Sequence, residues 1–167
     1  LKTLEKLFEM GEAHLGGSFS MIEILISIYE FMMGKSDIFI LSKSHASVPL
    51  CLLLRDKGYN TKITTHLEID RKNGINCTTG SLGHGLPIAT GIALSNHIKK
   101  NNKKTFVLIS DGECQEGTTW ESLLIASKYN LKNMFILIDY NKIQALDFIN
   151  NGLPLHNLKK KFESFNC

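Results

Sequence analysis

The feature that most constrains this chain is a pair of apolar six-residue runs separated by a segment of helix length. The runs are TFVLIS at residues 105–110 and MFILID at residues 134–139. Unbroken apolar runs without alternating polar positions are typical of parallel strands that are covered on both faces. A helix predicted over residues 119–129 joins them. The segment is therefore expected to form a strand, helix, strand unit with a right-handed crossover.

The rest of the chain supplies the other elements of one α/β domain. An apolar run at 38–41 predicts a further strand, and helical periodicity predicts helices over about 49–56, 87–97 and 154–165. Ser20, three residues before Glu23, is predicted to cap another helix through a reciprocal capping box. With 167 residues, 43% of them hydrophobic, the chain can bury a core of its own. We predict a three-layer, doubly wound, mostly parallel sheet with helices on both faces.

Composition excludes several classes of protein. No apolar run reaches the roughly 18 residues that cross a bilayer, and no basic leader precedes the apolar segment at 21–33. The lysine clusters lack interleaved aromatic residues, so they predict a solvated surface and no nucleic-acid site. The four cysteines form no metal-binding or disulfide pattern and are interpreted as reduced thiols. A cytoplasmic protein without a membrane span is expected.

Polar residues follow the two long strands, at the edge where open parallel sheets bind ligands. Asp111 follows the first strand, and Asn141 follows the second, thirty positions later. A carboxylate and an amide oxygen side by side, with the backbone carbonyl of Ile143 as a third ligand, would form a site for a hard cation such as Mg²⁺. The alternative, that both residues are there because turns tolerate them, stays open at this point.

A glycine-rich loop and three histidines are further candidates for a functional site. The sequence GSLGHG at 80–85 precedes a predicted helix, where a loop can cradle phosphate, although it is neither a P-loop nor a complete dinucleotide fingerprint. His14, His45 and His66 each lie in a loop or at an element boundary, where a histidine can move protons near neutral pH. Taken singly, an exposed or capping histidine is the commoner case.

Taken in order, these motifs resemble the diphosphate-binding half of transketolases over nearly the whole chain. The resemblance is carried by HLGGS at 14–18, LSKSH at 41–45, TGSLGHG at 79–85, DGE at 111–113, EG at 116–117, WE at 120–121 and DYNKIQ at 139–144. The aspartate-glycine pair after one strand and the asparagine after the next are similar to that family's thiamine diphosphate signature. The chain departs from the family pattern at Leu15, His84 and Ser110, and none of these departures removes a metal ligand.

The resemblance implies a set of site residues. The Mg²⁺ ligands would be Asp111, Asn141 and the carbonyl of Ile143. The residues that bind thiamine diphosphate would be His45, Gly80, Leu82, Gly112, Glu113 and Asn141. The catalytic residues, which face the sugar and move its hydroxyl protons, would be His14, His45 and His66. Glu116 would lie at a subunit interface, where the corresponding glutamate of the family meets its counterpart.

The resemblance also implies an activity in carbohydrate metabolism. Transketolases transfer a two-carbon ketol unit from a ketose or its phosphate to an aldose or its phosphate, with the cofactor as electron sink. Residues 1–167 are interpreted as a single domain that stops before the family's diphosphate-binding half normally ends, so it is expected to be incomplete at its C-terminal side. The pyrimidine-binding, C-terminal half is expected on a separate partner subunit, in a dimer or a hetero-tetramer as in split transketolases.

Three alternatives remain open from the sequence. A truncated or degenerate relative would keep the fold as a non-catalytic binding or assembly module. Another thiamine diphosphate enzyme, using pyruvate or a 2-oxoacid, would share the metal motif, although the contexts of His14 and His45 favour ketol transfer. A nicotinamide-binding oxidoreductase would use the glycine-rich loop but would leave the loops at 111–113 and 139–144 unexplained.

Overall fold

Three parallel strands form the sheet. A computed structural model of the chain describes residues 1–12, 14–144, 148–149 and 151–166. Strands β1 (Ile38–Leu41), β2 (Thr105–Ser110) and β3 (Met134–Asp139) lie in the order β1-β2-β3. Ser110 pairs with Asp139, so β2 and β3 end at the same level. All three strands have the bounds that their apolar runs predict.

Seven α-helices accompany the sheet in the described part of the chain. They are α1 (Lys2–Glu9), α2 (Leu15–Phe19), α3 (Ile22–Ser27), α4 (Val48–Asp56), α5 (Gly85–Ile98), α6 (Gly117–Lys128) and α7 (Leu158–Glu163). A π-helical turn, Ile28–Met32, continues α3, and 3₁₀ turns occur at Ser44–Ala46, Arg71–Asn73 and Gly112–Gln115. The bounds of α4, α5 and α6 confirm the predictions to within two residues. The helix predicted from residue 154 begins only at Leu158, because Asn157 adopts a left-handed φ of 53°.

Each face of the sheet carries its own core. Successive side chains of a strand point to opposite faces. Phe106 and Leu108 of β2 pack with residues of α3 and α4 on one face. Val107 and Ile109 pack with residues of α5, α6 and α7 on the other face. The fold is therefore the predicted three-layer α/β arrangement.

Strand β3 is less buried than its sequence predicts. Residues 134–138 are half-buried, and Asp139 is buried. Within the described residues no further strand pairs with the outer edge of β3. An open groove of about 1130 Å³ runs along that edge, lined mainly by β3, α6 and α7. The prediction of a fully covered β3 is therefore wrong, because the covering of a strand depends on neighbours that its own sequence does not specify.

The predicted helix cap at Ser20 is also wrong. Helix α3 begins at Ile22, and none of the described side chains caps its first turn. The Ser20 hydroxyl instead hydrogen-bonds to the carbonyl of Gly17, at 3.3 Å, and to the carboxylate of Asp139. The Ser20 side chain thus makes its contacts away from α3, with Asp139, a partner 119 positions further along the chain that the local spacing does not specify.

The stretch 15–32 is long and apolar enough, by length and composition alone, to cross a membrane. In the folded chain it is divided among α2, α3 and the π-helical turn, with a break at residues 20–21. Met21, Leu25 and Ile28 from this stretch belong to the core beneath β1 and β2. These three side chains are therefore core residues, whereas Phe31 of the same stretch is 84% exposed.

Candidate functional site

Asp111 joins the loops that follow β2 and β3. It lies directly after β2 and is 1% exposed. Its Oδ1 atom accepts a hydrogen bond from the Gly112 N–H at 2.9 Å, and its Oδ2 atom accepts one from the Lys142 N–H at 2.7 Å. Since Lys142 follows Asn141 in the chain, the structure brings the two predicted oxygen ligands to the same edge of the sheet.

Asn141 and Ile143 form a tight turn beside Asp111. The Asn141 Oδ1 atom accepts a hydrogen bond from the Ile143 N–H at 2.9 Å, and its Nδ2 group donates to Ser20 Oγ at 3.4 Å. Lys142, between them, has a left-handed φ of 65°. Asn141 is therefore a turn residue, as the simpler interpretation held. An amide oxygen has two lone pairs, so the hydrogen bond to Ile143 still leaves one for a ligand.

Burial raises the pKa of Asp111, because the loss of solvation outweighs the hydrogen bonds from Lys142 and Gly112. Asp139 acts in the same direction and Lys43 opposes it. A bound cation would compensate the charge that the chain's own donors leave uncompensated. In the described residues no three His, Cys, Asp or Glu side chains group to hold a metal. One carboxylate, one amide oxygen and backbone oxygens would therefore form the donor set, which suits Mg²⁺.

The three predicted histidines lie together. The ring centroids of His14 and His45 are 5.3 Å apart. A Cβ atom placed on Gly80 would lie 3.1 Å from Cδ2 of His66. His45 is half-buried, whereas His14 and His66 are exposed, and both of these rings influence the pKa of His45. These four residues, His14, His45, His66 and Gly80, are called the histidine wall below.

The pKa of His45 is lowered to about 4. Burial of the ring is the largest cause, followed by the charges of Lys43, His14 and His66, while Asp139 opposes them. The ring is therefore neutral at pH 7, and one of its nitrogens can accept a hydrogen bond.

We expect His45 to make the chain less stable in acid. Between pH 6.5 and about 4 the unfolded chain binds a proton at this ring and the native chain does not, so the free energy of unfolding falls as the pH falls. Denaturant unfolding at pH 7 and pH 5 should show the wild type losing about 1 kcal/mol more than His45→Gln, a value discounted for the partial exposure of the ring. His97→Gln, at an exposed position of α5, is the control. Equal losses in wild type and His45→Gln would contradict this expectation.

Two glycines of the glycine-rich loop pack closely against other segments of the chain. Gly83 has a left-handed φ of 76°, and a Cβ atom there would lie 2.7 Å from Cβ of Glu116. The Gly85 N–H donates to Ser42 Oγ at 3.1 Å, and a Cβ atom on Gly85 would lie 2.7 Å from the Ser42 Cα. These glycines are therefore needed for the close approach of chain segments.

Gly80, Leu82 and Glu116 are exposed around the same loop. The Thr118 hydroxyl donates to the carbonyl of Gly83 at 2.7 Å, which holds the first turn of α6 against the loop. The positions predicted to contact a cofactor or a second subunit from this loop are therefore accessible from outside.

Glu113 is fully buried, and both of its carboxylate oxygens accept hydrogen bonds from the chain. Oε1 accepts from the Ser42 hydroxyl and from the Gly83 N–H at 3.0 Å. Oε2 accepts from the N–H of Ser110 at 2.8 Å and from its hydroxyl at 3.3 Å. Glu113 thus ties the Asp111 loop to the end of β1 and to the glycine-rich loop. This pairing favours a role in holding the loops over direct contact with a cofactor.

Sequence reasoning missed an ion pair next to the histidine wall. The Lys43 ammonium donates to the carboxylate of Asp139 and, at 2.8 Å, to the carbonyl of Gly17. Lys43 is 1% exposed and Asp139 is 4% exposed. Both residues stand at or just beyond the ends of apolar strands, where charged residues are rare unless they are paired. That placement is the signal in the sequence that could have revealed the pair.

A family model described as "Transketolase, thiamine diphosphate binding domain" matches residues 6–167 of the chain. The chain is 34% identical over 173 residues to an apulose-4-phosphate transketolase subunit from Actinobacillus succinogenes, a match that covers 91% of this chain and 63% of that protein. It is 32% identical over 184 residues to the 6-deoxy-6-sulfo-D-fructose transketolase subunit SqwG of Clostridium sp. (strain MSTE9), which covers 98% of this chain and 67% of that protein. The chain thus spans about two thirds of the length of these curated relatives.

Solved transketolases share the fold. The structure from Campylobacter jejuni has a TM-score of 0.68 and 27% identity, and the match covers 77% of this chain and 23% of that one. The structure from Leishmania mexicana has a TM-score of 0.75 and covers 83% of this chain and 25% of that one. Its identity of 22% makes this second likeness one of fold alone.

Proposed function

Because the chain belongs to the family of transketolase thiamine diphosphate-binding domains, we propose that it binds the diphosphate end of thiamine diphosphate through Mg²⁺ and serves as one subunit of a transketolase. The observation that carries the proposal is the junction of the β2 and β3 loops, where Asp111 accepts a hydrogen bond from the residue that follows Asn141. The two relatives described above are themselves named as transketolase subunits.

We assign metal binding to Asp111, Asn141 and the carbonyl of Ile143. Asp111 supplies a buried carboxylate, whose raised pKa a divalent cation would lower. Asn141 supplies an amide oxygen that is oriented by the Ile143 N–H and, through its amino group, by Ser20. A site with one carboxylate leaves coordination positions for water and phosphate oxygens, which is how proteins usually bind Mg²⁺.

We assign cofactor contacts to His45, Gly80, Leu82, Gly112 and Asn141. Gly112 begins the 3₁₀ turn that directly follows Asp111. Glu113 holds this turn in place through its hydrogen bonds to Ser42, Gly83 and Ser110. Thiamine diphosphate, when bound, supplies the electron sink that the transfer of a ketol unit requires.

The histidine wall would handle the protons of the sugar hydroxyls. His45 is neutral at pH 7 and can accept a hydrogen bond from a hydroxyl group. The ring centroids of His14 and His45 are 5.3 Å apart, and we assign both rings, together with His66, to contacts with the sugar. His14 Nδ1 lies 3.6 Å from the Oε2 atom of Glu12, which would orient its ring.

The other half of the site would come from a pyrimidine-binding partner subunit. The relatives from Actinobacillus succinogenes and Phocaeicola vulgatus are both named as one subunit of an apulose-4-phosphate transketolase. The exposed Glu116 beside the glycine-rich loop is the position we assign to a subunit interface, where it would meet its counterpart in a second copy of this chain, in a dimer or a hetero-tetramer. Sugars or sugar phosphates are the proposed substrates, with their identity set by both subunits.

Thermal unfolding tests the cofactor site. Thiamine diphosphate with Mg²⁺ at about a hundred times Kd adds about 2.7 kcal/mol to the native state, so the melting temperature should rise by about 5–10 °C. In the presence of EDTA, which removes Mg²⁺, thiamine diphosphate should leave the melting temperature nearly unchanged. A melting temperature that does not respond to the cofactor would contradict the proposal and favour a non-catalytic assembly module.

A further inference from the structure

Among the described residues, Lys43 is the largest of the side chains that are fully buried. It follows Ser42 just beyond the end of β1 and stands two residues before His45. Its ammonium group is held by two acceptors, the carboxylate of Asp139 and the carbonyl of Gly17. Burying an ammonium group raises the free energy of the folded chain unless the group is paired, and these two acceptors supply the pairing.

The acceptors of Lys43 belong to two other segments of the site. Asp139 ends β3, two residues before Asn141. Gly17 lies in α2, three residues after His14. The strand order is β1-β2-β3, so the Lys43 side chain spans the edge of β2 to reach β3. Lys43 therefore connects the three segments that carry His14, His45 and Asn141.

Ser20 extends this connection to the predicted metal ligand. Its hydroxyl donates to the carboxylate of Asp139 and also lies 3.3 Å from the carbonyl of Gly17. The same hydroxyl accepts a hydrogen bond from Nδ2 of Asn141 at 3.4 Å. The Oδ1 atom of the same amide accepts a hydrogen bond from the Ile143 N–H at 2.9 Å, so the two bonds together fix the plane of the Asn141 amide. The chain of contacts from Lys43 therefore orients the oxygen of Asn141.

We propose that the Lys43–Asp139 pair, with Ser20, is a positioning device that fixes the histidine wall relative to the Asp111–Asn141 edge and is required for tight binding of Mg²⁺ and thiamine diphosphate. The inference rests on the proposed function, since it concerns the same site. The pair also neutralises Asp139, so that Asp111 is the carboxylate directly beside Asn141 that has no ammonium partner among the described residues. A cation would then meet one carboxylate instead of two, as suits a Mg²⁺ site that must also accept phosphate.

The experiment compares four forms of the full chain: wild type, Lys43→Met, the double variant Lys43→Met with Asp139→Asn, and Lys57→Met. Lys43→Met alone leaves a buried carboxylate without its partner and should lower the melting temperature markedly. The double variant keeps both side-chain volumes and removes both charges, so its melting temperature should recover most of that loss. Lys57→Met removes a lysine that pairs with Glu30 at 2.8 Å on the exposed surface, and serves as the matched control.

Calorimetric titration with thiamine diphosphate and Mg²⁺ then separates positioning from stability. We expect the double variant to bind at least tenfold more weakly than wild type although it is folded, and Lys57→Met to bind as wild type does. A folded double variant with the wild-type Kd would show that the pair only stabilises the fold, and would overturn the inference while the proposed function stands. A wild-type chain that binds no cofactor would overturn both.

Ser20→Ala decides the question if the double variant does not fold. It removes one hydrogen bond to the Asp139 carboxylate and leaves the ion pair in place, so the melting temperature should fall by less than it does in Lys43→Met. Loss of the hydrogen bond from Asn141 should weaken binding of Mg²⁺ and thiamine diphosphate several-fold. An unchanged Kd in Ser20→Ala would overturn the inference.

Discussion

Asp111→Asn is expected to abolish the rise in melting temperature that thiamine diphosphate and Mg²⁺ produce, a loss of about 2.7 kcal/mol of ligand stabilisation at a hundred times Kd. Asp111 is 1% exposed and is the carboxylate at the junction of the β2 and β3 loops. Removing its negative charge removes the main attraction for the cation. Without the cation, the diphosphate has no counter-charge at this edge of the sheet.

The substitution should leave the fold largely intact without ligand. Asparagine has the same size as aspartate and keeps one oxygen that can accept a hydrogen bond from the N–H of Gly112 or of Lys142. Loss of the other hydrogen bond is expected to lower the free energy of unfolding by about 1 kcal/mol. Asp56→Asn is the matched control, because Asp56 is an exposed carboxylate that pairs with Lys2 at 3.2 Å. This control should keep the full cofactor response. A response retained by Asp111→Asn would refute the metal assignment.

Gly85→Ala is expected to destabilise the chain by about 2–3 kcal/mol, which lowers the melting temperature by about 5–10 °C. A Cβ atom on Gly85 would lie 2.5 Å from the Ser42 Cβ and 2.7 Å from the Ser42 Cα. The Cα belongs to the backbone at the end of β1, so rotation of a side chain cannot relieve the contact. The Ser42 hydroxyl also donates to Glu113, and displacing it would disturb the loop that carries Asp111.

Gly91→Ala on the same helix is the control for Gly85→Ala. A Cβ atom on Gly91 would have no neighbour within 4 Å among the described residues. Alanine favours a helix interior over glycine by up to about 1 kcal/mol, so Gly91→Ala should be neutral or stabilising. Denaturant and thermal unfolding of both variants give the comparison. Equal effects of the two substitutions would show that the contact with Ser42 is not the cause.

Part of the candidate site was predictable from the sequence, because the geometry of a parallel sheet determines where the loops after its strands lie. Asp111 and Asn141 follow two apolar strands, and parallel strands joined by one helix end at the same edge, so the adjacency of their loops follows from their positions. The convergence of His14, His45 and His66 was predictable only through the resemblance to transketolases. Nothing in the spacing of these residues brings three distant loops together.

The glycine-rich loop shows where local sequence is ambiguous. Glycine is required both where a ligand approaches the backbone and where another chain segment does. The sequence GSLGHG predicts a phosphate cradle, yet Gly83 and Gly85 face Glu116 and Ser42 of the protein itself. The same residue type serves both purposes, so only the folded chain distinguishes them.

Local sequence pattern predicts the three described strands with their bounds, the positions of α4, α5 and α6, and the edge of the sheet at which the candidate site lies. These features depend on hydrophobic periodicity and on chain direction, which are local properties. Three features appear only in the folded chain: Ser20 bonds to Asp139 and does not cap α3, Lys43 pairs with Asp139, and β3 is half-covered. The first two outcomes depend on partners 119 and 96 residues apart in the chain, and the third depends on which segments pack beside β3. The burial of these groups and the short distances between their charges arise only when the chain folds.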